Sequence, residues 1–404
     1  MNFDEILATV DGQGNGVMPE GWGQGRALFG GLVGAVLFDH LGKTVAAGRT
    51  LRSFSLSFVA PMAPGPISLH SEVFREGKSV MQAMVSARQE GQVVAAMLVH
   101  HLVETGQLEL DDPVTRYLPK YGQNGKGRTT IRHLLTHQAG IPRPPAQVEP
   151  DILYRPQEII DLLCAAKPTG LNTQAYHAIT AGFILGAIVE AVTGEDLNAT
   201  LDRVIRQPMG MKYFTFGQTG AERARDVSTG VPMKLVDLFL TYAVGGSIDE
   251  VVEVTNDDRF QDIIVPAGNL YATAEEASRF FQMLLNDGLY NGQQIFKPET
   301  VARALQPAYH RPRFDRSLFL PLNFSSGFML GNRGMGMFGP GAPHAFGHLG
   351  FISIYCWADP QRDLSGALLT TGKGVVGPHL PALFGLQHTI NRHTRLRDSS
   401  PITV

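Results

Sequence analysis

His133 and His137 stand four residues apart in "TIRHLLTHQAG", one helical turn, so both imidazoles could face one way and share a metal ion. No third ligand lies near them in the chain. A serine with a lysine three residues on would offer a different chemistry. Its hydroxyl attacks an acyl carbon, and the ammonium on the same helix face holds positive charge beside it. No serine of this chain is followed by lysine at that spacing. Thr370 and Lys373 have it, but they follow a strand instead of opening a helix. "GKT" at 42–44 and "GKS" at 77–79 echo a phosphate-binding loop, yet the earlier glycine that each requires is Leu37 in one case and Glu72 in the other.

The elements that would carry such groups show as a change of period. Residues 30–41, "GGLVGAVLFDHL", are apolar nearly all round, as in a helix buried on every side. "SFSLSFV" at 53–59 alternates strictly and predicts a half-buried strand. Apolar runs at 67–74, 79–87 and 93–99 follow, separated by short turns containing glycine. The last of these, "VVAAMLV", suits strand or helix equally, because a short apolar run does not settle the period. Beyond residue 100 helical patterns dominate. "HHLVETG" ends on Gly106, "AITAGFILGAIVEAVTG" ends on Gly194, and "TAEEASRFFQMLLNDG" runs from Thr273 as N-cap to Gly288. "FISIYCWADPQRDLSGALLTT" reads as a hairpin, and "LPALFGLQHTINRH" as a closing helix.

At 404 residues, 44 % hydrophobic and 18 % charged, the chain is ordinary globular material with room for two or three domains. A net charge of −3 and the lack of a basic stripe among aromatics argue against nucleic acid. Cys164 and Cys356 are the only cysteines, which fits a reducing compartment, and the N-terminus has no apolar signal segment. A cytoplasmic protein with no cofactor, no metal and no membrane partner is expected.

"FGGLVGAVLFDHL", "SFVAPMAPGP", "REGKS" and "RQEG", in that order, resemble the hotdog fold of acyl-CoA thioesterases over roughly residues 20–99. Gly30 and Gly31 would open its central helix, whose N-terminus can hold a thioester carbonyl or simply pack tightly on the sheet. Hotdog enzymes activate water with a carboxylate near this helix. Asp39 is the candidate here, with a plain role beside His40 at the helix end as the alternative. The resemblance also implies pairing with another chain, a homodimer through the hotdog.

From about Leu102 onward, "LVETGQLELDDPVTRYLP", "TIRHLLTHQAGIP", "AYHAITAGFILGAIVEAVTG", "AGNLYATAEEASRFFQMLLNDG" and "FGHLGFISIYCWADPQRDL" resemble the class C β-lactamases and esterases, the penicillin-binding-protein-like serine hydrolases. The expected fold class is therefore α+β: a hotdog at 1–99, then at 100–404 a β-lactamase-like α/β sheet with a helical domain. The resemblance implies that Tyr176 is the base and acid, that His348 and Gly350 line the pocket, and that the backbone N–H of Phe351 faces the oxyanion. It also implies that "HLLTH" is structural. Taken singly, Tyr176 could be an amphipathic residue at a helix start, and His348 could satisfy a loop carbonyl.

Counting back from "LVETG" by the family interval puts the nucleophilic serine at Gln89 and its lysine at Gln92. Loss of the nucleophile costs a serine hydrolase about a millionfold in turnover. A tyrosine ionises near pH ~10, and pulling that to ~7 needs about 4 kcal/mol, mostly from nearby cations. An amide offers only a dipole. The chain thus reads as a thioesterase-like segment joined to a hydrolase without its first strands and its Ser-x-x-Lys pair. The first functional expectation is a hydrolase of acyl esters or thioesters of doubtful competence. The alternative is a non-catalytic protein that binds acyl groups or acyl-CoA. The missing strands would leave a bare sheet edge, covered by the N-terminal segment or else a source of weak stability.

Overall fold

Residues 354–359, "IYCWAD", are almost wholly apolar, and a strand with two apolar faces needs a packed layer on each side. The computed structural model describes residues 3–11, 15–24, 27–28, 30–43, 53–56, 64–69, 91–145, 150–218, 227–228, 247–334, 336–350, 354–370, 372–373, 379–394 and 396. The elements that position the site are α1 (Gly30–Lys43), β1 (Ser53–Leu56), α2 (Gly91–Glu104), α3 (Ile131–Leu135), α4 (Thr180–Thr193) and α5 (Ala274–Leu285). They continue with β2 (Arg313–Phe314), β3 (Pro321–Phe324), β4 (Met329–Leu330), β5 (Phe346–Gly350), β6 (Ile354–Asp359), β7 (Leu364–Leu368) and α6 (His379–His393).

The seven strands form one sheet in the order β2-β3-β4-β5-β6-β7-β1, antiparallel up to β7. Strand periodicity divides β6 between two cores. Tyr355 and Trp357 face a layer containing Leu32, Val36 and Phe38 of α1 and Leu386 and Ile390 of α6. Ile354, Cys356 and Ala358 face the larger core, with Val93 to Val99 of α2, Ile184 and Ile188 of α4, and Phe280 and Phe281 of α5. The predicted cap of α5 is present: the Thr273 side chain accepts from the Glu276 backbone, and Glu276 reaches back to the Thr273 N–H. No helix among the described residues is long and apolar enough to cross a membrane.

The N-terminal segment differs from expectation. β1 lies parallel to β7, with Ser53 opposite Ser365 and Leu56 opposite Leu368. The hydrolase edge is therefore covered by a strand from the thioesterase-like stretch, because an open row of backbone donors and acceptors gains a partner. α1 packs along α6 on the outer face of the same sheet, where Phe38 meets the His393 ring at 6.3 Å between centroids. Of the expected meander, Gly65–Ser68 pairs with Asn15–Met18, and the run 79–87 lies outside the described residues. The run 93–99 is not a strand but the middle of α2. The junction placed at residue 99 thus falls inside an unbroken helix. Val93 to Val99 are all buried, as a strand between two layers would be too, but the run continues through Leu102 and packs against α4, with its backbone groups bonded within the segment. Gly106, at φ 70°, then stops it in the left-handed conformation.

α2 begins where Gly91 passes close to other backbone. A Cβ there would lie 2.4 Å from the Pro266 carbonyl oxygen and 2.6 Å from the Phe216 ring. Gly91→Ala is expected to cost about 1–3 kcal/mol, as overpacking does in a dense core, and to lower the urea midpoint without changing its slope.

Candidate active site

Tyr176 sits just before α4, on a loop that is pinned from the other end of the chain. Gln174 donates to the carbonyls of Arg313 and Leu322, at 3.2 and 3.3 Å. The fully buried Asp315 accepts, through one oxygen, the N–H groups of Tyr176 at 3.1 Å, Ser317 at 2.9 Å and Leu318 at 3.0 Å. A buried carboxylate persists only with such donors. Burial still pushes its pKa up, against those three backbone hydrogen bonds. The carboxylate ties the tyrosine loop to the β2–β3 hairpin.

The phenol ring lies parallel to Phe324 of β3, at 6.2 Å between centroids, with the His137 imidazole edge-on at 4.9 Å. Its hydroxyl is 3.4 Å from Nε2 of His348 on β5. The two residues that the sequence assigns to the pocket therefore meet, 172 positions apart in the chain, and Gly350 ends the same strand. Phe351 and Gln89 lie outside the described residues. Beside Ala175 opens a cavity of about 150 Å³ lined by Arg143, Thr169, Thr173, Arg316 and Ser317, among others.

Gln92 is in the first turn of α2 and buried, with its terminal amide 3.4 Å from Nε2 of His137. His137 accepts the His177 backbone N–H at Nδ1, 3.2 Å away, so Nε2 carries the ring proton of the neutral imidazole. The Gln92 atom at that distance is the amide nitrogen, and turning the amide end for end brings Oε1, otherwise without a partner, to accept the proton. His177 is fixed in turn. Its Nδ1 donates to the Ala175 carbonyl at 2.6 Å, and its Nε2 accepts from the Ile141 N–H at 3.1 Å. His137 holds φ +59°, and its carbonyl accepts the Ala175 N–H, so backbone and ring both brace the tyrosine loop.

The electrostatics follow from burial. Desolvation pushes His348 down to about 4, a backbone hydrogen bond at Leu349 opposing it. Desolvation also pushes His177 to about 4, and His137 well below the usual imidazole value, with His177 and His348 adding to the latter. The Tyr176 hydroxyl is pushed up, by desolvation first and by the Asp315 charge second. At neutral pH the site is a set of uncharged rings and amides. Tyr176 is a phenol that can donate a hydrogen bond, not an anion that can take a proton.

Two other candidates fall elsewhere. Asp39 is buried on α1 and lies 3.0 Å from Nε2 of His393 on α6, at the helix pair of the outer layer, so it is not exposed in a groove. His133 accepts the Thr130 N–H at 3.0 Å and completes the cap of α3, so it does not share a ligand position with His137. Among the described residues no group of three His, Cys, Asp or Glu side chains could hold a metal. Asp315 and His177 were not singled out from sequence. His177 adjoins Tyr176 in "YHAIT", whereas nothing local marks Asp315, whose partners come from a distant loop.

Comparison with known proteins gives two family matches. A model described as Beta-lactamase matches residues 92–383, and one described as Acyl-CoA thioesterase N-terminal domain matches residues 18–101. The Esterase/beta-lactamase LipL of Mycobacterium tuberculosis is 26 % identical over 332 residues, 77 % of this chain and 75 % of that protein. Among solved structures, a penicillin-binding protein homologue from Caulobacter crescentus aligns with a TM-score of 0.64 at 23 % identity, over 76 % of this chain and 83 % of its own. A family VIII carboxylesterase aligns with a TM-score of 0.63 at 22 % identity, over the same 76 % and 83 %. At that identity the two structures establish a shared fold.

Two outcomes are expected. Asp315→Ala strands three backbone donors and should destabilise by several kcal/mol, at about 1–3 kcal/mol per unmade bond, while Asp315→Asn, which keeps an acceptor, costs much less. His100, His177 and His348 are all pushed to about 4, so the unfolded chain takes up protons that the folded one refuses. Stability contributed by these groups should fall as pH drops from ~6.5 toward ~4, seen as a lower urea midpoint at pH ~5 than at pH ~7.5. Asp315, with its pKa raised, works the other way. His348→Asn should flatten the pH dependence.

Proposed function

We propose, from the premise that this chain belongs to the beta-lactamase family, that its Tyr176–His348 site recognises acyl esters or thioesters without the family's serine attack. The observation that carries this reading is Gln92. It is buried in the first turn of α2, where the family lysine would stand, and holds a neutral imidazole at 3.4 Å. The groups left at the site suit binding. A phenol that keeps its proton and a neutral imidazole can each donate to a carbonyl oxygen. Neither can deprotonate an alcohol at neutral pH, with the phenol pushed up and the imidazole at about 4. Thioesters are included because the thioesterase-like match spans residues 18–101. In this reading the segment forms a hotdog that grips acyl-CoA, and Gly30 at the start of α1 supports it as a helix N-terminus.

The second reading is hydrolysis, favoured by a relative named as an esterase/beta-lactamase. It needs an attacking atom that no Ser-x-x-Lys pair supplies. Water would have to serve, and Asp39 is engaged with His393.

The test is restoration. The natural chain is expected to ignore a fluorophosphonate probe and to leave nitrophenyl acetate and acetyl-CoA intact, while an uncleavable acyl thioether raises its melting temperature. The double variant Gln89→Ser/Gln92→Lys should gain labelling and ester turnover, Gln89→Ser alone far less, because the hydroxyl then lacks the cation. Labelling or turnover by the natural chain overturns the binding reading in favour of hydrolysis.

A further inference from the structure

The hairpin that holds the tyrosine loop also carries an unusual outer face. Phe314 is 59 % exposed, Phe319 51 % and Leu320 48 %, three large apolar side chains within seven residues, and the two rings lie 6.5 Å apart. Phe319 holds φ +55°, a left-handed conformation that is a genuine outlier for a bulky residue. Local bonds impose it: Phe319 N–H donates to the Asp315 carbonyl and Asp315 N–H to the Leu320 carbonyl. The side chain that results points an aromatic ring outward, where a solvated loop would gain nothing from one.

The charge around this tip is one-sided. Residues 310–316 read "HRPRFDR", and Arg311, Arg313 and Arg316 are all exposed. The one acid, Asp315, is turned fully inward onto backbone N–H groups. The exposed tip thus carries three positive charges on a chain whose net charge is −3. Arg313 is held in place by stacking on Tyr309, its guanidinium 3.2 Å from the ring centroid.

We propose that the hairpin around Phe314 and Phe319 docks the protein on an anionic phospholipid surface. Apolar side chains that protrude from a tip, with basic residues around them, match the two signals that peripheral membrane binding combines: shallow insertion between headgroups and attraction to anionic lipid. A second copy fits less well, because a two-fold pairing of this patch brings three arginines against the same three. An acidic protein partner would satisfy the charges but leaves the protruding rings without a groove. That no helix among the described residues is long and apolar enough to cross a membrane does not bear on docking of this kind. Through Asp315 the docked hairpin is bonded directly to the Tyr176 backbone, so the acyl site would lie close to the lipid surface. The proposal goes beyond the acyl-binding reading and is read without any acyl ligand, so either can fail alone.

The experiment is vesicle flotation of the full chain. It should float with phosphatidylcholine vesicles containing about 30 % phosphatidylglycerol, not with phosphatidylcholine alone, and lose binding in high salt. Phe314→Ser/Leu320→Ser should weaken binding at least tenfold by the loss of inserted apolar surface, and Arg311→Gln/Arg316→Gln about twentyfold, with melting temperatures unchanged. Phe314→Trp gives a reading free of any folding defect: brominated acyl chains should quench its emission. Failure to float, equal flotation with neutral vesicles, undiminished binding by the serine variant, or an unquenched tryptophan overturns the proposal. So does a dimer that the serine variant splits without any vesicle binding.

Discussion

Desolvation governs the site. A pocket walled by Phe324, His137 and the sheet can hold dipoles at little cost, but an unpaired charge only at great cost. Gln92 is buried beside His137, and the surrounding imidazoles are neutral around it. His137 and His177 each have one tautomer, fixed by a chain of backbone bonds, and the amide of Gln92 stands against the remaining ring proton. Burial and Asp315 together keep the proton on Tyr176.

Asp315 plays the complementary role. It is the buried charge that the fold does retain, and it is retained because three backbone donors converge on it. Those donors belong to the tyrosine loop and to the hairpin between β2 and β3, which gives the site its rigidity and makes the shape of the outer hairpin inseparable from the placement of Tyr176. The same carboxylate that orders the inside leaves the outside with arginines alone.

The N-terminal quarter shows how a sheet edge selects its partner. Residues 18–101 match a thioesterase-like domain by family model, yet β1 completes the hydrolase sheet and α1 packs against its last helix. An alternating strand and an apolar helix are what the outer layer and the open edge of that sheet require, and the chain provides both before residue 57. The residues at 92–101 that both family models match lie in α2, and all of them but His101 are buried.

Local chemistry was legible in the residues themselves. The cap at Thr273, the stop at Gly106, the hairpin strands around 354–368 and the absence of any serine followed by lysine at three residues depend only on neighbours in the chain. The period of 93–99 was not legible, because a fully apolar run carries no contrast between faces, and packing among helices of the larger core decided for a helix. Nor could Asp315, the Gln92–His137 contact or the pairing of β1 with β7 be read, since each joins residues far apart in the chain. The sequence determined which groups are present and which are missing. The tertiary structure alone decided which of them are stripped of water together, and stripping them of water is what sets their charge.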